Sequence, residues 1–243
     1  MYLPTCTCPD LAFAVGQLGR YVQKPTQQHI GAAKRVQRYL IGTKTQGIVY
    51  TKCKILEQKP EPIIDGYCDS DWGNDLDTSK SITGFVHCMA GRAISWASRR
   101  QSIVAQSTAD AEYVATCEAC MESQELRNVL IQVLPELVTS FRMGIDNQAV
   151  FVTATNPTYS RRTRHIELCW HFVRDQVAKR TVDLWKVRTE DNPSDIMTKP
   201  LVKRPTRDIE CDDWFVQATS SSVTNSLRRR ACWNTYHVLV LRE

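Results

Sequence analysis

Along the chain the spacing of apolar residues shifts from helical to alternating and back again. After Pro9-Asp10, Leu11, Val15, Leu18 and Val22 fall on one helical stripe; Pro25-Thr26 then breaks that helix and caps the next. The second helix carries Ile30, Ala33, Val36 and Leu40, ends at Gly42 and leads into a strand over Gly47–Tyr50. From residue 62 the spacing predicts strands at Ile63–Asp71, Ser81–Met89 and Arg92–Ser98, joined by polar turns as an antiparallel meander. A long helix over Ser107–Leu134 follows, with Ala111, Val114, Ala115, Met121, Leu126, Val129 and Val133 in one apolar arc closed by Pro135. Next come a strand near Phe141–Asp146, a short helix, an Arg-rich loop at Ser160–His165, a helix near Ile166–Val177 and a strand at Thr181–Val187. A last helix opens at Asn192-Pro-Ser-Asp195. The order βββαβαβα predicts an α/β fold with a mixed five-stranded sheet and flanking helices. Expected boundaries are a small N-terminal helical segment at 1–55, the main domain at 62–204 and a loosely ordered tail at 205–243.

Composition narrows this little. The chain has 243 residues, 42% hydrophobic and 23% charged, which excludes wholesale disorder, and its formal charge of +5 requires any anionic partner to meet a local patch. The first ten residues lack the basic and apolar regions of a signal peptide, and no run approaches the roughly 18 apolar residues of a membrane span. Ten scattered cysteines with no sign of an oxidising compartment read as free thiols. Cys117-x-x-Cys120, with Cys169 between His165 and His171, admits a zinc reading, but a lone pair inside a helix lacks the second pair of a finger.

Four carboxylates fall at element ends, where a scaffold holds side chains rigidly: Asp69, Glu112, Asp146 and Asp195. Taken singly, each is an ordinary turn or cap residue. Brought together, they would persist ionised only beside cations, and all-oxygen ligation suits Mg²⁺ or Mn²⁺. Two such ions about 4 Å apart can activate a water and stabilise the leaving oxygen of a phosphodiester. Asp71, two residues beyond Asp69 on the same strand face, is the rival for its place.

From Gly66 to Leu201 the chain resembles the ribonuclease H domain of copia-type retrotransposon polyproteins. The resemblance is carried by Gly66-Tyr-Cys-Asp-Ser-Asp-Trp72, Ile94-Ser-Trp-Ala-Ser-Arg-Arg-Gln101, Ser107-Thr-Ala-Asp-Ala-Glu-Tyr113, Asp146-Asn-Gln148, Arg162-Thr-Arg-His-Ile166 and Asp195-Ile-Met-Thr-Lys-Pro-Leu201. Residues 1–50 resemble the end of the preceding reverse transcriptase, through Cys8-Pro-Asp-Leu11 and His29-Ile-Gly-Ala-Ala-Lys-Arg-Val-Gln-Arg-Tyr-Leu-Ile-Gly-Thr43, and no Tyr-x-Asp-Asp polymerase motif occurs. The resemblance implies a ribonuclease H-like fold and a metal-dependent endonuclease that cuts the RNA strand of RNA/DNA hybrids with two Mg²⁺ ions, Mn²⁺ being the alternative. Asp69 would bridge both ions, Glu112 and Asp146 would bind the ion near the leaving group, and Asp195 the ion that activates water. Reverse transcriptase and integrase parts of a parent polyprotein are implied as partners, in a cytoplasmic retroelement particle. Three positions depart from the family pattern, Cys8 (usually Arg), Asp110 (usually Glu) and Ser160 (often His), and none is a proposed ligand.

Hybrid binding needs phosphate contacts for position and 2′-hydroxyl contacts to identify RNA. Arg161, Arg162, Arg164 and His165 are the first candidates and Arg99, Arg100 and Gln101 the second, against the plainer reading of a solvated basic surface. Trp72, Trp96, Trp170 and Trp185 read as core rather than stacking residues. Glu118 and Glu122 fall inside the apolar arc with no evident reason. Two rival functions stay open: a catalytically silent relic that at most binds nucleic acid, and an integrase-type strand transferase, which the missing His/Cys module disfavours.

Overall fold

The computed structural model describes residues 2–48, 50, 62–75, 77–156, 166–200 and 216–217. They fall into two compact units, one built on residues 50–199 and the other on the N-terminal residues together with the pair at 216–217.

In the N-terminal unit, α1 (Tyr2–Cys6) leads through a 3₁₀ turn at Pro9–Leu11 into α2 (Ala12–Gly19) and α3 (Gln27–Gly42). Thr26 caps α3 reciprocally with His29, whose amide donates to the Thr26 hydroxyl while the Thr26 amide donates to the imidazole Nδ1. The apolar stripe is shorter than its spacing predicts. Val22 lies beyond the end of α2 and is exposed, and on α3 Ala32 is buried in place of Ala33. The expected strand at Gly47–Tyr50 is the two-residue β1 (Gln46–Gly47), antiparallel to β7 (Val216–Gln217). The rest of the expected tail lies outside the described residues.

The larger unit holds β2 (Ile63–Asp71), β3 (Ile82–Met89), β4 (Arg92–Arg100), α4 (Thr108–Val133), β5 (Ser140–Ile145), α5 (Gln148–Thr155), α6 (Glu167–Ala178) and β6 (Asp183–Lys186). Its five-stranded sheet has the order β4-β3-β2-β5-β6, antiparallel from β4 to β2 and parallel from β2 to β6. This is the mixed sheet with flanking helices that the sequence predicts. The two helices expected between β5 and β6 are α5 and α6, and the last element is a single 3₁₀ helix at Pro193–Met197, too short to be the expected α-helix.

β2 is the strand on which the sheet changes sense: it pairs antiparallel with β3 and parallel with β5. The ends of β2 and β5 therefore lie side by side, the place in α/β sheets where ligands gather. The core beneath is apolar, with Ile64, Cys68, Phe85, Met143 and Ile145 against α4. Ala111, Ala115 and Ala119 on α4 are fully buried, and their small side chains let the helix lie close to the strands. At 26 residues α4 is about 39 Å long, against about 30 Å for the nine-residue β2. Met121, Val129 and Val133, expected in the buried arc, are exposed, while Ser123, Leu126 and Leu130 make the contacts with the core along this half of the helix.

Polar contacts fix how α4 lies on β3 and β4, and they account for the two glutamates in the arc. Glu118 pairs with the Arg99 guanidinium at 3.0 Å, and Glu122 accepts from the Ser95 hydroxyl. Further along β3 the buried His87 meets the Ser123 hydroxyl at 2.8 Å, and burial pulls its imidazole down to a pKa of about 4, so it packs as a neutral ring.

The β3–β4 hairpin turns through Ala90 and Gly91, both at positive φ (52° and 72°), between the paired Met89 and Arg92. A two-residue turn with both φ values positive favours Asn-Gly, and an alanine there carries a cost of roughly 1–2 kcal/mol. Ala90→Asn is predicted to stabilise the protein by about 1 kcal/mol, seen as a higher urea midpoint at unchanged slope. An unchanged midpoint would show that the turn is not under strain at Ala90.

Candidate active site

Asp69 is 2% exposed near the end of β2, paired in register with Gly84 on β3. Asp146 follows the last residue of β5, two positions beyond Gly144, just as Asp69 stands two beyond its partner Tyr67. The parallel pairing thus brings the two aspartates to the same sheet edge. Asn147 turns the chain there by capping α5, its side chain accepting from the Ala149 and Val150 amides. Glu112 comes from the first turns of α4, whose start is set by the Ser107 cap on the Asp110 amide. It accepts from the Ser70 amide at 3.4 Å. Ligand atoms of Asp69, Glu112 and Asp146 all lie within 4.8 Å of one another.

Asp195 does not join that group. It sits in the 3₁₀ helix Pro193–Met197, and Lys199 stands between it and Asp69, with Nζ 3.1 Å from Asp195 Oδ1 and 3.2 Å from Asp69 Oδ2. The same Asp69 oxygen also accepts from the Thr198 hydroxyl. Two features bring this segment onto the sheet. The buried Asn192 donates to the Cys68 carbonyl at 2.9 Å while its own oxygen accepts from the Ser194 amide and hydroxyl. Gly84 leaves the space that Met197 and Thr198 fill, since a Cβ there would stand 2.6 Å from side-chain carbons of both. Asn192, Thr198, Lys199 and Gly84 were not singled out from the sequence, although Thr198 and Lys199 lie in the Asp195–Leu201 motif.

Burial raises the pKa of the Asp69 carboxyl to about 6, opposed by the Thr198 hydroxyl and Lys199 and reinforced by Asp195 and Asp146. Burial, together with the charges of Asp69 and Asp146, pushes Glu112 up to about 9. Without a further cation the cluster therefore retains a proton near neutrality. Hard, anionic oxygen donors this close together fit a divalent ion such as Mg²⁺ or Mn²⁺, and binding one would release that proton.

The alternatives left open by the sequence separate here. Asp71 accepts from the Asn74 side chain in the turn after β2 and stands outside the acidic group. Among the described residues no cysteine or histidine joins a metal-type group, which argues against zinc at Cys117 and Cys120. Gln101, expected to contact nucleic acid, is instead 1% exposed, its amide donating to the Thr83 hydroxyl and the Ala111 carbonyl, so it ties β3 and α4 together. Arg100 is paired with the buried Asp75 at 2.6 Å, and Arg99 with Glu118 over the Phe85 ring. Both keep partly exposed side chains. Trp72 donates to the Ala105 carbonyl and remains half exposed. Arg161, Arg162, Arg164 and His165 lie outside the described residues.

The acidic group thus stands at the shared end of the paired parallel strands β2 and β5, in a mixed five-stranded sheet with flanking helices. The chain is 36% identical over 199 residues to the Retrovirus-related Pol polyprotein from transposon TNT 1-94 of Nicotiana tabacum, covering 82% of this chain and 14% of that one. It is 34% identical over 195 residues to the Pol polyprotein from transposon RE2 of Arabidopsis thaliana, covering 80% and 13%. Both of these relatives are Pol polyproteins of transposons, and the chain spans 13–14% of their length. No family model matches it. Among solved structures, the N-terminal ribonuclease H domain from Mycobacterium tuberculosis, determined as a fusion with maltose-binding protein, aligns with a TM-score of 0.43 at 10% identity over 56% of this chain and 91% of that one.

The raised carboxyl of Glu112 has a signed consequence. A group protonated in the folded state and ionised in the unfolded one stabilises the fold at low pH and loses that contribution as pH rises from 4.5 to about 9. Glu112→Gln is predicted to flatten the decline of metal-free stability across that window, measured by urea unfolding at several pH values. Parallel curves for the two proteins would show that Glu112 ionises freely. Mn²⁺ affinity of the wild type is predicted to rise with pH over the same range, read by calorimetry.

Proposed function

We propose that residues 63–199 form a divalent-metal-dependent endonuclease that hydrolyses the RNA strand of RNA/DNA hybrids. The observation that carries this reading is the convergence of Asp69, Glu112 and Asp146 at the joined ends of β2 and β5. Similarity to transposon Pol polyproteins supports it, since copying an RNA template into DNA leaves a hybrid whose RNA strand must be removed.

Asp69, Glu112 and Asp146 would hold the ion. When bound, the ion supplies Lewis-acid stabilisation of the charge that builds on the phosphoryl oxygens and lowers the pKa of a coordinated water. The chain does the positioning. Asp69 is immobilised by burial and by Thr198, so its oxygens hold their place without reorganising. Glu112 is held by the Ser70 amide and by its place in a capped helix. Asp195, joined to Asp69 through Lys199, would orient the attacking water, with Lys199 balancing its charge. Attack of the water oxygen on phosphorus breaks the bond to the 3′-oxygen, leaving a 3′-hydroxyl on one fragment and a 5′-phosphate on the other.

Substrate recognition is assigned to the basic residues Arg161, Arg162, Arg164 and His165, with Arg99 and Arg100 at the strand end beside α4, and Gln101 is removed from that set by its burial. The surrounding polyprotein, including reverse transcriptase and integrase, is the proposed setting.

The test is cleavage of an end-labelled RNA/DNA hybrid with Mg²⁺ or Mn²⁺, with and without chelator. RNA fragments ending in 3′-hydroxyl are expected from the wild type only with metal, and none from Asp69→Asn, which removes an anionic ligand at nearly constant volume. Cleavage by Asp69→Asn at the wild-type rate would overturn the assignment. A folded wild type that binds hybrid but never cuts it would leave the silent nucleic-acid binder. Arg162→Ala and Arg164→Ala are each predicted to lower by about 1 the slope of log affinity against log salt. An unchanged slope would return them to the solvated surface.

A further inference from the structure

Resting on the proposed metal-dependent site, the arrangement around Asp69 bears on how many ions it takes. A two-ion centre needs one carboxylate to offer an oxygen to each ion. Among the described residues Asp69 is the one placed for this, since it groups with Glu112 and Asp146 and is joined to Asp195 through Lys199. Its Oδ2 is already engaged by two of the chain's own donors, the Thr198 hydroxyl and Lys199 Nζ at 3.2 Å. A carboxylate oxygen has about two lone-pair sites, so both are filled.

The donors are built in. The Lys199 amide donates to the Asp195 carbonyl at 3.0 Å, so the lysine and Asp195 lie one helical turn apart with Nζ returning to Asp195 Oδ1 at 3.1 Å. Thr198 is seated by the gap at Gly84, and the segment is anchored by Asn192 on the Cys68 carbonyl. The ammonium reaches both carboxylates within hydrogen-bond distance and so occupies the space between them.

We propose that Lys199 takes the place of a second metal ion between Asp69 and Asp195, so that the free site binds one divalent ion, at Asp69, Glu112 and Asp146. Lys199 is then a resident cation of the centre. Asp195 acts through a hydrogen-bonded ammonium and not as a metal ligand, a departure from the two-ion reading of the motif.

The experiment is a Mn²⁺ titration of the full chain without nucleic acid, followed by calorimetry and by electron paramagnetic resonance, with Lys199→Met and Lys199→Arg alongside and folding checked by circular dichroism. One Mn²⁺ per chain is expected for the wild type and Lys199→Arg. Two are expected for Lys199→Met, with spin coupling between neighbouring ions. Two ions in the wild type would show that the lysine is displaced, overturning this inference while leaving the nuclease reading intact if hybrid is still cut. One ion in Lys199→Met as well would show that something other than the lysine excludes the second. No bound ion in any of the three would overturn both this inference and the proposed metal site. Should Lys199→Met fail to fold, the wild-type count decides alone.

Discussion

Buried carboxylates repel, and much of the larger unit is arranged to bring several of them to one sheet edge despite that repulsion. Asp69 is almost wholly shielded from water, with Glu112 and Asp146 close by, and the raised carboxyl pKa values express the resulting tension. Backbone hydrogen bonding of the parallel pair β2 and β5 sets Asp69 beside Asp146, and α4 supplies Glu112 because its small alanines let it lie low on the strands. The compensation comes from the chain itself, through the Ser70 amide, the Thr198 hydroxyl and the Lys199 ammonium. Positive groups delivered this way are fixed by local backbone geometry, so they cost little ordering when substrate arrives.

The elements that position these groups were largely legible in the sequence, because alternation and helical spacing report burial directly. Ile63–Asp71 and the long helix read clearly: one is a strand lying between two others, the other packs a run of small residues on the sheet. Periodicity failed where tertiary context decides burial. The arc on α4 continues through Val129 and Val133 although both face solvent while Leu130 packs against the core, and nothing local in the sequence marks which face is covered there. The final helix was over-read because a Pro-containing start with a good cap looks alike whether one turn or three follow.

In the site, the carboxylates were legible as a set because each sits at an element boundary, and the shared edge follows from the parallel register. Their partition was not. That Asp195 meets an ammonium while the other three meet one another depends on a glycine opposite Asp69, visible only as an ordinary strand residue in Ile82–Met89. Gln101 misled for a related reason. It follows two arginines and reads as part of a basic surface, yet it is the first residue past β4, where the side chain turns inward to the end of α4. Glu118 and Glu122, unexplained by the pattern, proved to be the polar contacts that hold α4 to β4.

The hydrogen bond from Asn192 to the Cys68 carbonyl joins residues 124 positions apart. Contacts of such long sequence separation form late, because the intervening chain must first be ordered before the gain is realised. Strands β2 to β5, α4 and the three clustered carboxylates all lie within residues up to Asp146, whereas the lysine side of the site waits for the segment after β6. On a ribosome making the chain from its N-terminus, the acidic group therefore exists for a time with its strand end open to water and its charge uncompensated. Docking of residues 192–199 is thus the step that brings the centre its ammonium.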